Sequence, residues 1–128
     1  MARLLIFVAM ICVSAAATTL QAQTKDLLDS VQLTALLSGN TTHSEHLGTG
    51  KKYLAFHDSN GKWVLKREDG AVFFGTWTVN PDGSYCAIIQ NVAGKCARIR
   101  KNPDGTYTRI VDGAPMFKWT KVTAGKGF

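Results

Sequence analysis

From about residue 41 to the C-terminus, apolar and polar side chains alternate in short runs, and most runs end in a turn closed by glycine. Alternation with a period of two marks a strand with one buried face. The turns are Ser59-Asn60-Gly61, Glu68-Asp69-Gly70, Asn80-Pro81-Asp82-Gly83, Asn102-Pro103-Asp104-Gly105 and Val111-Asp112-Gly113. Glycine adopts positive φ without steric cost and Asn or Asp nearly so, which makes these sequences tight reversals between antiparallel strands. The runs between them predict strands over 41–47, 52–57, 62–67, 71–79, 84–90, 95–101, 106–111 and 115–122. In the strongest, Phe73, Trp77 and Val79 fall on one face and Thr76 and Thr78 on the other; in the last, Phe117 and Trp119 alternate with Lys118 and Thr120. Connections are short, so consecutive strands are expected to pair, giving a meander of seven or eight. A mainly β meander of that length closes into a small barrel or folds into a sandwich, and a barrel is favoured because closure removes exposed edges. The three tryptophans are expected to fill its interior, which has little spare room at eight strands.

One segment breaks the period of two. Val31, Leu33, Ala35, Leu36 and Leu37 follow helical spacing, which predicts a short helix with Ser30 as its cap and Gly39 just past its end. Gln32 stands one residue early to complete a capping box with Ser30. The helix is expected to cover one end of the β-structure. Ahead of it, Arg3 precedes the uncharged apolar run Leu4–Val13 and the small residues Ser14–Ala17. That layout is a removable secretory signal over 1–22, with cleavage expected after Ala17 or Ala22. Its ten apolar residues fall short of the ~20 needed to cross a bilayer. Residues 23–128 then form a single β-domain, placed in the periplasm or outside the cell.

Loss of the leader removes Cys12 and leaves Cys86 and Cys96, an even pair that an oxidising compartment would join. If 86–89 and 96–99 are paired strands joined by Asn91-Val92-Ala93-Gly94, the two thiols face each other across a hairpin. Their spacing suits neither a zinc site nor a thioredoxin-like pair. Charge changes the picture further. The chain carries 15 Lys and Arg against 9 Asp and Glu, a net charge of +6, and the excess lies entirely in residues 84–128. Lys95, Arg98, Arg100, Arg109 and Lys118 fall on three strands expected to be neighbours and define a candidate basic binding face. An envelope protein or an anionic ligand would suit it, and an ordinary solvated surface would carry the same charge. Nucleic acid does not fit an exported protein.

Catalytic chemistry finds little purchase. His43 and His46, with Glu45 between them, would point to opposite faces of a strand, so no metal site is assigned. Asp58, Glu68 and Asp69 occupy turn positions that favour acids for conformational reasons. There is no G-x-S-x-G, S-x-x-K or phosphate-binding loop in the sequence. No catalytic residue and no cofactor is assigned, and the chain is not expected to be an enzyme.

Taken in order, Leu36-Leu37-Ser38-Gly39-Asn40, the aromatic strand Tyr53-Leu54-Ala55-Phe56-His57, Gly75-Thr76-Trp77, Asp82-Gly83-Ser84-Tyr85-Cys86, Cys96 and the tail Gly125-Lys126-Gly127-Phe128 resemble a family of short exported Gram-negative proteins classed as a domain of unknown function. The resemblance covers roughly residues 32–125 and implies a two-cysteine β-domain without assigned catalytic residues. A shorter stretch, Thr49-Gly50-Lys51-Lys52-Tyr53, is similar to the Ser-Gly-x-x-Tyr segment of periplasmic lysozyme-inhibitor barrels, with Thr49 in place of the Ser. That likeness implies a candidate inhibitory loop of Thr49, Gly50, Lys52 and Tyr53. The expected function is a non-catalytic binding module of the envelope, with inhibition of a cell-wall hydrolase as the alternative.

Overall fold

The computed structural model describes residues 26–92 and 94–128; the leader expected over 1–22 lies outside the described residues. One helix, α1 (Ser30–Leu37), precedes eight strands: β1 (Asn40–His46), β2 (Lys52–His57), β3 (Lys62–Arg67), β4 (Val72–Val79), β5 (Tyr85–Ile89), β6 (Arg98–Lys101), β7 (Tyr107–Val111) and β8 (Ala114–Ala124). All eight belong to one antiparallel sheet in the order β5-β4-β3-β2-β1-β8-β7-β6, curled into a half-barrel. A sandwich would need two sheets.

Four turns repeat one geometry. At Asp58–Lys62, Arg67–Ala71, Asn80–Ser84 and Asn102–Thr106, the first residue's N–H donates to the fifth carbonyl at 2.8–2.9 Å, and the glycine N–H donates to the first carbonyl at 2.9–3.1 Å. In each, the Asn or Asp before the glycine accepts the fifth residue's N–H: Asn60, Asp69, Asp82 and Asp104, at 3.0, 3.0, 2.9 and 3.0 Å. The glycines take φ of +85° to +91°, a region that a side chain would strain. The β7–β8 turn differs, with Asp112 at φ 50° and Gly113 at 77°, the two-residue reversal that Asp-Gly favours.

The meander holds from β1 to β5 and from β6 to β8. The two runs join through β1 and β8, where Asn40 pairs with Ala124 and His46 with Phe117. The long hairpin expected over 86–99 is not formed. Strands β5 and β6 are the two ends of a twisted sheet, and among the described residues they meet at a single pair, Tyr85 and Ala97, through bonds of 2.8 and 2.7 Å. The disulfide Cys86–Cys96 lies beside that pair, with Cα atoms 4.3 Å apart. The outer edge of β6 is covered by residues 26–28: Leu28 N–H donates to Ile99 O and Lys101 N–H to Asp26 O, each at 2.8 Å.

The cap of α1 lies one residue earlier than Ser30. Asp29 accepts the Gln32 N–H at 2.8 Å, and the Gln32 side chain accepts the Asp29 N–H at 3.0 Å, so Gln32 completes a capping box after all. Leu33 and Leu37 are fully buried while Val31 is exposed. They meet Trp63, Trp77, Trp119, Tyr85 and Ile99 in one core inside the curl. Gly75 is required at the β4–β5 crossing, because a Cβ there would lie 2.0 Å from the Ile88 carbonyl oxygen.

Candidate functional site

The antiparallel order sorts the connections to two ends. Helix α1, beside Val79 and Pro81, shares one end with the β2–β3, β4–β5 and β6–β7 turns. The opposite end carries the β1–β2 loop and the β3–β4 and β7–β8 turns.

A polar centre lies inside the curl. His57, with no exposed surface, and Tyr85, 1% exposed, are hydrogen-bonded at 2.6 Å through Nε2 and the hydroxyl. The Trp77 ring meets the imidazole edge-on at 5.3 Å, and Trp119 meets the Tyr85 ring edge-on at 5.5 Å. His57 Nδ1 and Trp63 Nε1 are buried without a hydrogen-bond partner. Burial drives the His57 pKa from 6.5 to about 4; the backbone at Asn40 and Ala55 opposes this, and the charge of Arg109 adds to it. Burial likewise pushes the Tyr85 hydroxyl well above its ordinary value, against the pull of Arg109 and of the Trp63 indole. A neutral pair sealed from solvent cannot reach a substrate. It organises the core.

Arg109 reaches over this centre from the inner face. Its guanidinium stands 5.3 Å from the ring centroids of both Tyr85 and Phe117, and its Nε is buried without a partner. The five basic residues predicted to form one face therefore separate. Arg109 pairs across the sheet with Ile99 and Phe117 and points inward; Arg98, Arg100 and Lys118 point outward; Lys95 sits in the disulfide loop. Turn acids also neutralise several of them. Lys95 meets Asp112 at 2.6 Å, Arg98 meets Asp82 at 3.7 Å and Lys118 meets Asp104 at 4.0 Å. Arg100 Nε donates to Asn102 at 3.4 Å.

The loop residues Thr49, Gly50, Lys52 and Tyr53, by contrast, come together at the end away from α1. Thr49, Gly50 and Lys52 are exposed, yet the loop is tied from within. His46 Nδ1 accepts the N–H groups of Gly48 and Thr49, each at 3.1 Å, and the imidazole packs edge-on against Phe117 at 4.9 Å. Gly50, at φ 71°, donates its N–H to His46 O at 2.8 Å, and Leu47 N–H reaches Met116 O at 2.9 Å. Tyr53 turns inward against the Phe117 ring at 6.0 Å. Two clefts flank the loop base, of about 370 and 210 Å³, and both are lined by Lys52, Tyr53, Arg67 and Glu68. Arg67 is itself paired with Asp69 at 2.7 Å.

His43 and His46 do lie on opposite faces. His43 bonds Thr123 Oγ1 at 3.0 Å on the outside, while His46 braces the loop from within. Among the described residues, no group of three or more His, Cys, Asp or Glu is arranged to hold a metal, and no helix is long and apolar enough to cross a membrane. Sequence reasoning missed the brace from His46 and the cleft residues Arg67 and Glu68. The available signal was the short His-Leu-Gly-Thr-Gly reversal, in which a ring nitrogen can stand where an Asn or Asp oxygen usually does. No protein-family model, curated protein or solved structure matches this chain.

Proposed function

We propose that this protein is an exported, non-catalytic binding module of the cell envelope, and that it meets its partner with the end opposite α1. The observation that carries the reading is the β1–β2 loop: exposed at Thr49, Gly50 and Lys52, held by His46 from within, and flanked by two clefts. A loop already fixed in one conformation loses little entropy on binding, which is what a recognition segment needs. The Cys86–Cys96 disulfide agrees with an oxidising compartment. A photo-crosslinking residue at Thr49, on the protein expressed in its own host, should give a discrete adduct that Tyr53→Ala abolishes. The same probe at Asp104, at the α1 end, should give none. Adducts of equal strength from both positions would refute the assignment.

The braced loop also favours a second reading, inhibition of a cell-wall hydrolase by insertion of residues 49–53 into an active site. Purified protein should then suppress lysozyme turnover near a one-to-one ratio, with Lys52→Ala and Tyr53→Ala relieving it. Unchanged turnover at micromolar protein removes that reading and leaves the first in place.

A further inference from the structure

An antiparallel sheet with its core on one side ordinarily turns polar residues outward on the other. Strands β6–β8 carry Arg98, Arg100 and Lys118 on that side. Strands β2–β4 depart from this pattern. Their inward residues, among them Ala55, Trp63 and Trp77, already fill the interior. Their ten outward positions nevertheless hold five apolar side chains, Leu54, Phe56, Val64, Val72 and Phe74. Phe74 is 61% exposed and Val72 45%, so this surface is not hidden by another part of the described chain. Phe56, Val64 and Phe74, with Ile88 from β5, line a cleft of about 770 Å³.

The remaining outward positions of β2–β4 are Lys52, Lys62, Lys66, Thr76 and Thr78, with no carboxylate among them. Lys126, in the C-terminal tail, borders the same cleft as Lys62. None of these four lysines lies within 4.0 Å of a carboxylate among the described residues. The nearest acids, Glu45, Asp58 and Glu68, line the clefts from the neighbouring strand and from turns at the two ends, and Asp58 is engaged by the Asn60 N–H at 3.2 Å.

We propose that the outer face of β2–β4 docks on an anionic lipid bilayer. Phe74 and Val72 enter the headgroup region, and Lys62, Lys66 and Lys126 extend their stems along the apolar patch to meet lipid phosphates. An apolar centre bordered by lysines that pair with no carboxylate within 4.0 Å is the complement of such a surface. This surface adjoins the β1–β2 loop at Lys52 and shares Leu54 and Lys66 with the cleft beside it, but the inference does not rest on the partner reading above.

The test is co-sedimentation of the domain spanning residues 23–128 with vesicles of phosphatidylcholine, with and without phosphatidylglycerol. Binding is expected to the anionic vesicles, to fall as salt rises, and to be absent for phosphatidylcholine alone. Each lysine near such a surface contributes about fivefold in affinity, so Lys62→Gln with Lys66→Gln should lose roughly 25-fold. Phe74→Glu should abolish binding, with Phe74→Ser as the second variant where circular dichroism shows that the first is unfolded. Arg98→Gln with Arg100→Gln should bind as the parent does. No sedimentation with anionic vesicles at low salt, or parental binding by both the Phe74 and the double lysine variants, overturns the proposal. So does sedimentation confined to vesicles that carry envelope proteins, which would assign the face to a protein partner.

Discussion

At the scale of single residues, the consequential group is a histidine that the core holds neutral. His57 has a folded pKa of about 4, below its ordinary 6.5, so the unfolded chain takes up the proton first as pH falls. The stability tied to this group is whole above pH 6.5 and is lost as pH drops toward 4, a swing of about 3 kcal/mol. Urea unfolding midpoints measured across that window should fall steadily, and His57→Gln should flatten the decline. Tyr85→Phe removes the hydroxyl bonded to His57 Nε2 at 2.6 Å and leaves a second buried imidazole nitrogen unpartnered. It should cost about 1–3 kcal/mol in the same measurement. None of this is written locally. His57 ends a strand whose neighbours suggest only alternation, and its partner stands 28 residues away. Arg109 is a different case. Its parity with Tyr107, two residues before it on the same strand, already separates it from Thr108 on the other face, and that signal was open to reading.

At the scale of elements, the turns were the most legible part of the sequence, because their geometry depends on four or five consecutive residues. The two Asn-Pro-Asp-Gly turns agree bond by bond. Asp82 accepts from the Ser84 hydroxyl at 2.7 Å and Asp104 from the Thr106 hydroxyl at 2.6 Å; Asn80 donates to Ser84 Oγ at 2.8 Å and Asn102 to Thr106 Oγ1 at 3.1 Å. Those hydroxyl and backbone donors hold both carboxyl groups below the ordinary carboxylate range. Asp82→Ala and Asp104→Ala should each lower the thermal midpoint. Asn in either place keeps an acceptor oxygen and should restore most of the loss, which differential scanning calorimetry can check. The cap of α1 was misplaced by one residue for an equally local reason: Asp29 and Ser30 are both good caps, and the choice is made by which one stands three residues before Gln32.

At the scale of the whole molecule, single-strand reasoning finds seven or eight strands and misses the way the sheet is joined. The pairing of β1 with β8 links residues up to 84 apart, and no turn announces it. The place where the ends of the sheet meet was misjudged for the same reason, because spacing alone made β5 and β6 look like a hairpin. Among the described residues, that seam is held by the Tyr85–Ala97 pair, the Arg98–Asp82 contact and the disulfide. The denatured domain spanning 23–128 should show no free thiol. Reduction should lower the urea midpoint by an amount that corresponds to about 2–3 kcal/mol of unfolding free energy, the closure entropy expected for a loop with a sequence separation of 10. Two titratable thiols before reduction, or an unmoved midpoint after it, would show that the seam closes without the bond.

The central position of β1 sets a schedule for folding. β2 arrives within a few residues of β1, but its other neighbour is the last strand of the chain. A polypeptide emerging N-terminus first can build β1 to β5 while β1 still carries an open edge, and it completes the sheet when Ala114–Ala124 have followed. Contacts of such long range form slowly. Until residues 114–124 have followed, β1 in those first five strands lacks its second neighbour. Folding of this architecture is complete only once the last strand, Ala114–Ala124, is free to pair with β1.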